Sequence, residues 1–220
     1  MANNKENQKS DRLNRYFEFQ EVRALSPTDE NPEYIVEGLV IPYEVKTNIG
    51  GWFEEIIKRG ALEGADLKDV PFFIHHMDRK IPLARSRNNS TRSTLQLTID
   101  SKGLSFRAKL DVENNVEAKA LYSAVQREDI SGMSFTFSVK EEKWSNLDTD
   151  LPTREIVKFK KIYEISALWS PQYTETDIMA RDEAPDGADK LALDSARSQV
   201  LESTTAVEVQ RLRNKILGGI

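Results

Sequence analysis

The chain contains no cysteine. That absence excludes disulfides, thiolate metal sites and a cysteine nucleophile, and it is compatible with a reducing compartment. Histidine is nearly as scarce: there are two, adjacent, at His75 and His76. A centre built from three histidines of one chain is thereby excluded, whereas a mixed histidine and carboxylate site stays open. Positive charge is also short. Lys and Arg number 31 against 36 Asp and Glu, a net charge of −5, so no sequence-wide basic field exists to hold nucleic acid. No apolar run approaches the ~18 residues of a membrane span. The opening "MANNKENQKSDRLNR" lacks the apolar stretch of a secretory signal. Neither nucleic acid nor a membrane is therefore expected as a partner. Apolar residues make up only 39% and charged residues 30%, an apolar share below that of an average globular domain. The deficit points to one folded core with polar segments attached. A length of 220 residues suits one ordinary domain with tails, or two small ones.

What is present is mostly strand patterning. Residues 1–13 are polar and expected to be a disordered tail. Strand patterning begins in "YFEFQEVRAL" and continues in "YIVEGLVIPYEV", where Gly38 is placed for a bulge or a close backbone approach. In "GGWFEEIIKRGAL", Phe53, Ile56 and Ile57 stand at helical spacing, and Gly60 would end a short helix. "DVPFFIHH" reads as a buried strand that ends in the two histidines and the polar loop "MDRK". "STLQLTIDSKGLSFRAKLDV" is a hairpin turned by "DSKG". "NNVEAKALYSAVQRED" is an amphipathic helix capped by Asn114 or Asn115, with Val116, Ala120, Leu121, Ala124 and Val125 on one side. "MSFTFSVKEEKW" and "REIVKFKKIYEISALW" supply the later strands. The fold class expected is mainly β with helices (α+β). Seven or so strands with little βα alternation favour a closed or nearly closed barrel over a parallel sheet. The barrel would occupy residues 14–180. Residues 181–220 read as a linker, "RDEAPDGAD", followed by a helix-permissive tail outside the core.

Few residues could carry chemistry. Histidine at a strand end can act as a general base, since its ordinary pKa lies near neutrality. In a strand His75 and His76 would point to opposite faces, so at most one serves a site. A serine becomes a nucleophile only beside such a base. In "DISGMSFTF", Ser131 suits a turn or cap. Ser134 opens an apolar strand behind Gly132, which permits close backbone approach and an N–H facing a developing oxyanion. The sequence is not the G-x-S-x-G elbow, and on these local residues alone a plain strand serine facing solvent is the better reading. Glu164, within the apolar run "IYEISALW", needs a partner or solvent, because an unpaired buried carboxylate is costly. Orienting a histidine would supply that partner; Asp78 and Asp129 compete for the same role. Arg85 in "PLARS" is either a surface charge or a holder of an oxyanion or carboxylate.

The order of these segments resembles the caudoviral prohead (capsid maturation) proteases of the HK97 type. In that family an apolar strand ends in histidine before a polar loop and a P-L-G-R-like segment, here "FFIHHMDRKIPLAR". A hairpin strand G-L-x-F-x-A-x-L follows, here "GLSFRAKL", and then S-G-M-S-F-G-F, here "SGMSFTF". A last segment, L-x-E-V-S-L-V-x-x-P-A-Y, corresponds to "IYEISALWSPQY". Four ordered motifs between Tyr16 and Ala180 are far more specific than any one. The resemblance implies a serine endopeptidase with an assemblin-like β-barrel ringed by helices, acting without metal or cofactor. It implies Ser134 as nucleophile, His76 as base and Glu164 as third member, with Gly132 and Arg85 supporting the oxyanion. Implied partners are the major capsid protein with its scaffold region and further copies of the chain. The implied location is the immature phage prohead in the host bacterial cytoplasm. Two departures stand out. The loop from His76 to Pro82 looks one residue longer than the common pattern, which leaves His75 as a register alternative. Thr136 replaces the usual glycine, which would narrow the cleft. The rival expectation is a capsid-assembly or scaffolding protein that keeps the barrel without turnover. A metal hydrolase using His75, His76 and Asp78 lacks ligand spacing.

Overall fold

The computed structural model describes residues 12–18, 22–30, 32–77, 79–168 and 187–217. The strands in its first half are β1 (Leu13–Glu18), β2 (Arg23–Leu25), β3 (Tyr34–Pro42), β4 (Lys46–Ile49), β5 (Phe53–Ile57), β6 (Pro71–Ile74) and β7 (Ala84–Arg85). There follow β8 (Leu95–Ile99), β9 (Gly103–Leu110), helix α1 (Val116–Gln126), β10 (Gly132–Ser145), β11 (Thr153–Leu168) and helix α2 (Gly187–Leu217). No helix among the described residues is long and apolar enough to cross a membrane.

Strand alternation becomes two sheets. One runs β1-β10-β11-β5-β4, with β6 also paired to β11 and β7 to β6; the other runs β2-β3-β9-β8. Both inward faces feed a single core. Val36 and Ile41 of β3 and Phe106 and Ala108 of β9 meet Phe135, Phe137, Phe159 and Ile165 of β10 and β11. The Phe72 and Phe106 rings, 5.5 Å apart, bridge the two sheets. Helix α1 starts where the Asn115 side chain accepts the N–H groups of Glu117 and Ala118, a standard N-cap. It buries Ala118, Leu121, Tyr122 and Val125, while Val116 is exposed. The mainly β, α+β expectation therefore holds at that level. Among the described residues the strands, however, form two sheets and not one closed ring, with α1 packed on the core and α2 reaching the body through its first turns only. Alternation establishes that a segment is a strand; it does not name the strand's partners, and closure is a matter of partners.

Three local expectations change. The run from Tyr16 is two strands, β1 in the first sheet and β2 in the second; residues 19–21 lie outside the described ones. The ladder irregularity in β3 falls between Leu39 and Ile41, while Gly38 pairs in register with Phe106. In place of the short helix expected before Gly60 stands strand β5, whose buried positions are Phe53, Glu55 and Ile57. A charged residue occupies the middle inward position, so the period-2 pattern was invisible to an apolar count and the helical spacing of Phe53, Ile56 and Ile57 misled.

Glu55 explains itself through its partners. Arg15 of β1 grips it with two hydrogen bonds, 2.7 and 2.8 Å, and grips Asp189 of α2 with two more, 2.9 and 3.0 Å. Arg154 of β11 adds bonds to Asp189 at 2.8 Å and Glu55 at 3.2 Å. All four residues are at most 5% exposed. Leu193, one helical turn on, is buried with Ile49 and Phe53. The first turns of the tail are thus packed into the body; the helix beyond is exposed. The expected disordered tail falls outside the described residues apart from 12 and 13, and Leu13 is buried. The expected linker before Gly187 also lies outside them.

Candidate active site

β11 carries two parallel neighbours in succession. Its first half pairs with β5 (Thr153↔Glu54 to Ile156↔Ile57), its second half with β6 (Ile165↔Phe72 to Ala167↔Ile74). The second pairing delivers the histidines. β6 ends at Ile74, and His75 and His76 both take left-handed backbone, φ 52° and 54°, which costs on the order of 1 kcal/mol per residue. Cross-links hold this turn: the His75 N–H donates to Ala167 O at 3.1 Å, and the His76 N–H donates to Ser166 Oγ at 3.3 Å. The chain folds back over β11, and His76 Nδ1 meets Glu164 Oε1 in a short contact. An ionised carboxylate can only accept, so in the neutral imidazole this contact assigns the proton to Nδ1 and leaves the lone pair on Nε2. The histidines do not alternate across a strand, because the strand has already ended; the turn selects between them. His75 is largely exposed. Desolvation, with the neighbouring His76 adding to it, lowers its pKa below the ordinary value.

Across β11, the antiparallel β10 lays two rows on the same face. Asn14, Thr136 and Glu164 form one row, and Tyr16, Ser134 and Ser166 the next. Directly opposed residues have Cβ atoms about 4.5–5.5 Å apart, so Ser134 flanks the Ser166 that receives the His76 N–H. Right after the Thr136↔Glu164 pair the register slips to Phe137↔Ile162. A bulge of this kind re-aims neighbouring side chains. Ser134 is only 2% exposed, and its hydroxyl donates to the Arg15 carbonyl at 2.8 Å. Among the described residues, His76, Ser134 and Glu164 are therefore gathered on one sheet face. Within this arrangement the serine hydroxyl faces β1, and the His76 Nδ1 faces Glu164.

The supporting residues are placed differently. Arg85 is exposed on β7, beside Pro71 at the far end of β6, in a two-bond pair with Asp69 at 2.6 Å; it is not brought to Ser134. Ser131 lies just before β10, outside the two rows. Asp129 pairs with Arg127 on the surface, and Asp78 lies outside the described residues. Among those residues no three His, Asp or Glu side chains converge as a metal-binding group. Gly132 makes room. A Cβ there would stand 2.5 Å from the Tyr16 hydroxyl and 2.7 Å from Tyr16 Cζ, so the Tyr16 ring lies over Gly132 beside Ser134. Gly132→Ala is expected to cost about 1–3 kcal/mol, the range for overpacking, and to push that ring aside. A thermal melt reads this, and an unchanged melting temperature would sink the argument from space.

Sequence reasoning missed Ser166, Tyr16 and Asn14. Ser166 had a signal, since it stands two residues after Glu164 in the same apolar run and so shares its face. Tyr16 and Asn14 had none, because only the β1–β10 register brings them in.

Comparison with known proteins places these motifs. Among curated proteins no sequence matches this chain. A solved structure of the bacteriophage T4 capsid assembly protease is similar over 73% of this chain and 98% of that one, at 13% identity and a TM-score of 0.43. The family described as caudovirus prohead serine protease matches residues 20–189, a span that includes His76, Ser134 and Glu164. With most of its length matched, the chain belongs to the caudovirus prohead serine proteases.

Proposed function

We propose that Ser134, His76 and Glu164 form the catalytic unit of this serine protease. The observation that carries the proposal is the His76–Glu164 contact over Ser166, one strand away from Ser134. Glu164 holds the imidazole through Nδ1 and stabilises the cation that forms on proton uptake. The Ser134 hydroxyl leaves the Arg15 carbonyl by rotation about χ1, a modest change for a group with one neutral hydrogen bond, and turns to His76 Nε2. His76 takes its proton, the oxygen attacks the peptide carbonyl, and protonated His76 releases the leaving amine. Water then attacks the acyl-enzyme with His76 again as base. Backbone N–H groups near the start of β10 would face the oxyanion; Arg85, paired with Asp69 elsewhere, is not assigned there.

The substrate is a scaffold segment or the N-terminal region of the capsid protein, cut inside the immature prohead in the host cytoplasm, and the chain cuts itself as well. The exposed Val200, Leu201, Val207 and Leu212 of α2 support reading the helix beyond its docked first turns as the element that engages partners in the assembling shell. A fluorophosphonate probe tests the chemistry without knowledge of the substrate. It is expected to label Ser134, as located by mass spectrometry of peptides, and His76→Ala is expected to abolish labelling. Modification of a different serine, or undiminished labelling in His76→Ala, would overturn the assignment.

A further inference from the structure

Thr136 stands where the resemblance expects glycine, and its hydroxyl is not idle. Thr136 Oγ1 lies 3.0 Å from Glu164 Oε1, the same oxygen that meets His76 Nδ1. On its other side, Asn14 Oδ1 lies 2.6 Å away, a second acceptor for the same hydroxyl. The three residues are in register across β1, β10 and β11, so backbone ladders hold the line. A threonine hydroxyl has one proton to give. The bond to a carboxylate is the stronger claim on that proton, because it is charge-assisted. An amide's oxygen and nitrogen are told apart only by their partners. Turning the Asn14 amide over puts its NH2 in place of Oδ1, so that Asn14 donates to Oγ1 and Thr136 is left to donate to Glu164.

We infer that Thr136, backed by Asn14, is a positioning residue that fixes the Glu164 carboxylate beneath His76. The inference rests on the proposed Ser134–His76–Glu164 unit. It differs from the expectation that Thr136 merely narrows the cleft. A carboxylate held by His76 alone can swing about its own side-chain torsions. A second donor on the same oxygen, from a strand on the opposite side, removes that freedom and so fixes the imidazole that Glu164 holds. Glycine at position 136 supplies no such donor. Asn14 lies outside the span matched by the family, residues 20–189, so this support is read from the fold of this chain alone.

The test is the rate of Ser134 modification by a fluorophosphonate probe, separated into the limiting rate kinact and the half-saturating concentration KI. Thr136→Val keeps the shape and removes the hydroxyl. It is expected to lower kinact about ten- to a hundredfold, the scale of one lost hydrogen bond to a charged group, with KI unchanged. Thr136→Ser restores the hydroxyl and is expected to recover kinact to within about threefold. In a Glu164→Gln background, Thr136→Val is expected to cost nothing further, since residues acting as a unit are not additive. The inference is overturned if Thr136→Val labels at the parent rate. It is equally overturned if the change falls in KI, as for a cleft wall, or if the same loss recurs in the Glu164→Gln background. If Glu164→Gln alone labels at the parent rate, the role of Glu164 fails first, and the result is distinguishable from a failure of Thr136. A melting curve for each variant confirms that folded protein is compared.

Discussion

Ser134→Ala is expected to abolish proteolysis while the protein still folds. Removal of the nucleophile from a serine protease of unrelated fold costs on the order of a million-fold in turnover, because nothing else can form the acyl-enzyme. The structural cost is small by comparison. Ser134 is buried and its hydroxyl donates to the Arg15 carbonyl, so alanine forfeits one neutral hydrogen bond, about 1 kcal/mol. Co-expressed capsid protein should stay full length, and the protease chain itself should stay intact. Ser131→Ala, three residues earlier and outside the strand face, should leave processing unchanged. The pair of variants separates the two serines of "SGMS" cleanly. Continued cleavage in Ser134→Ala, or loss of cleavage in Ser131→Ala, would show that the nucleophile had been placed on the wrong residue. The non-catalytic rival makes a different prediction: both variants would leave the capsid protein equally uncut, as would the parent.

Asp189→Ala is expected to produce the largest loss of stability. The buried cluster is electrically balanced, with Arg15 and Arg154 against Glu55 and Asp189. Burial alone pushes the Arg15 guanidinium towards losing its proton, but the Glu55 and Asp189 carboxylates overcome this and raise its pKa above the ordinary value. Without Asp189 the interior holds two cations against one anion. Glu142, at the more exposed rim, reaches only Arg154. Breaking a buried ion pair from one side costs about 3–5 kcal/mol, because the arginines left behind can neither shed their charge nor find water. For a domain of this size that is a fall of roughly 6–20 °C in melting temperature. Asp189→Asn should fall between, since it keeps the shape and one acceptor. A melting point for Asp189→Ala within about 2 °C of the parent would show that the cluster is not sealed. The effect should reach the site. Arg15 is the residue whose carbonyl accepts the Ser134 hydroxyl, so loosening β1 loosens the surroundings of the nucleophile. Any cut that frees α2 should do the same, which would couple loss of the tail to loss of activity.

Much of the candidate site was legible because its motifs are local. The apolar run before His76, the hairpin "GLSFRAKL" and the strand after Gly132 each announce themselves within a dozen residues, and their order carried the resemblance. Glu164 was legible for a physical reason: a carboxylate in the middle of "IYEISALW" must have a partner, and His76 is that partner in the structure. Arg85 illustrates the opposite case. Its sequence neighbourhood suited an oxyanion, yet β6 and β7 carry it to the far end of the strand that brings His76 to the site, where Asp69 takes it.

The sequence by itself determined most of the longer strands, the capped helix α1, the candidate nucleophile and base, and the family, because alternation, caps and ordered motifs depend on neighbours along the chain. Tertiary structure decided which strands pair and where the sheets end. It decided that "FEEII" is a strand with Glu55 turned inward, since its partners Arg15 and Arg154 lie 40 and 99 residues away. It decided that the first turn of α2 is buried at Asp189, and that Thr136 meets both Asn14 and Glu164. Each of these outcomes depends on charges and registers between distant segments, and the free energy of such a contact exists only once both partners are in place.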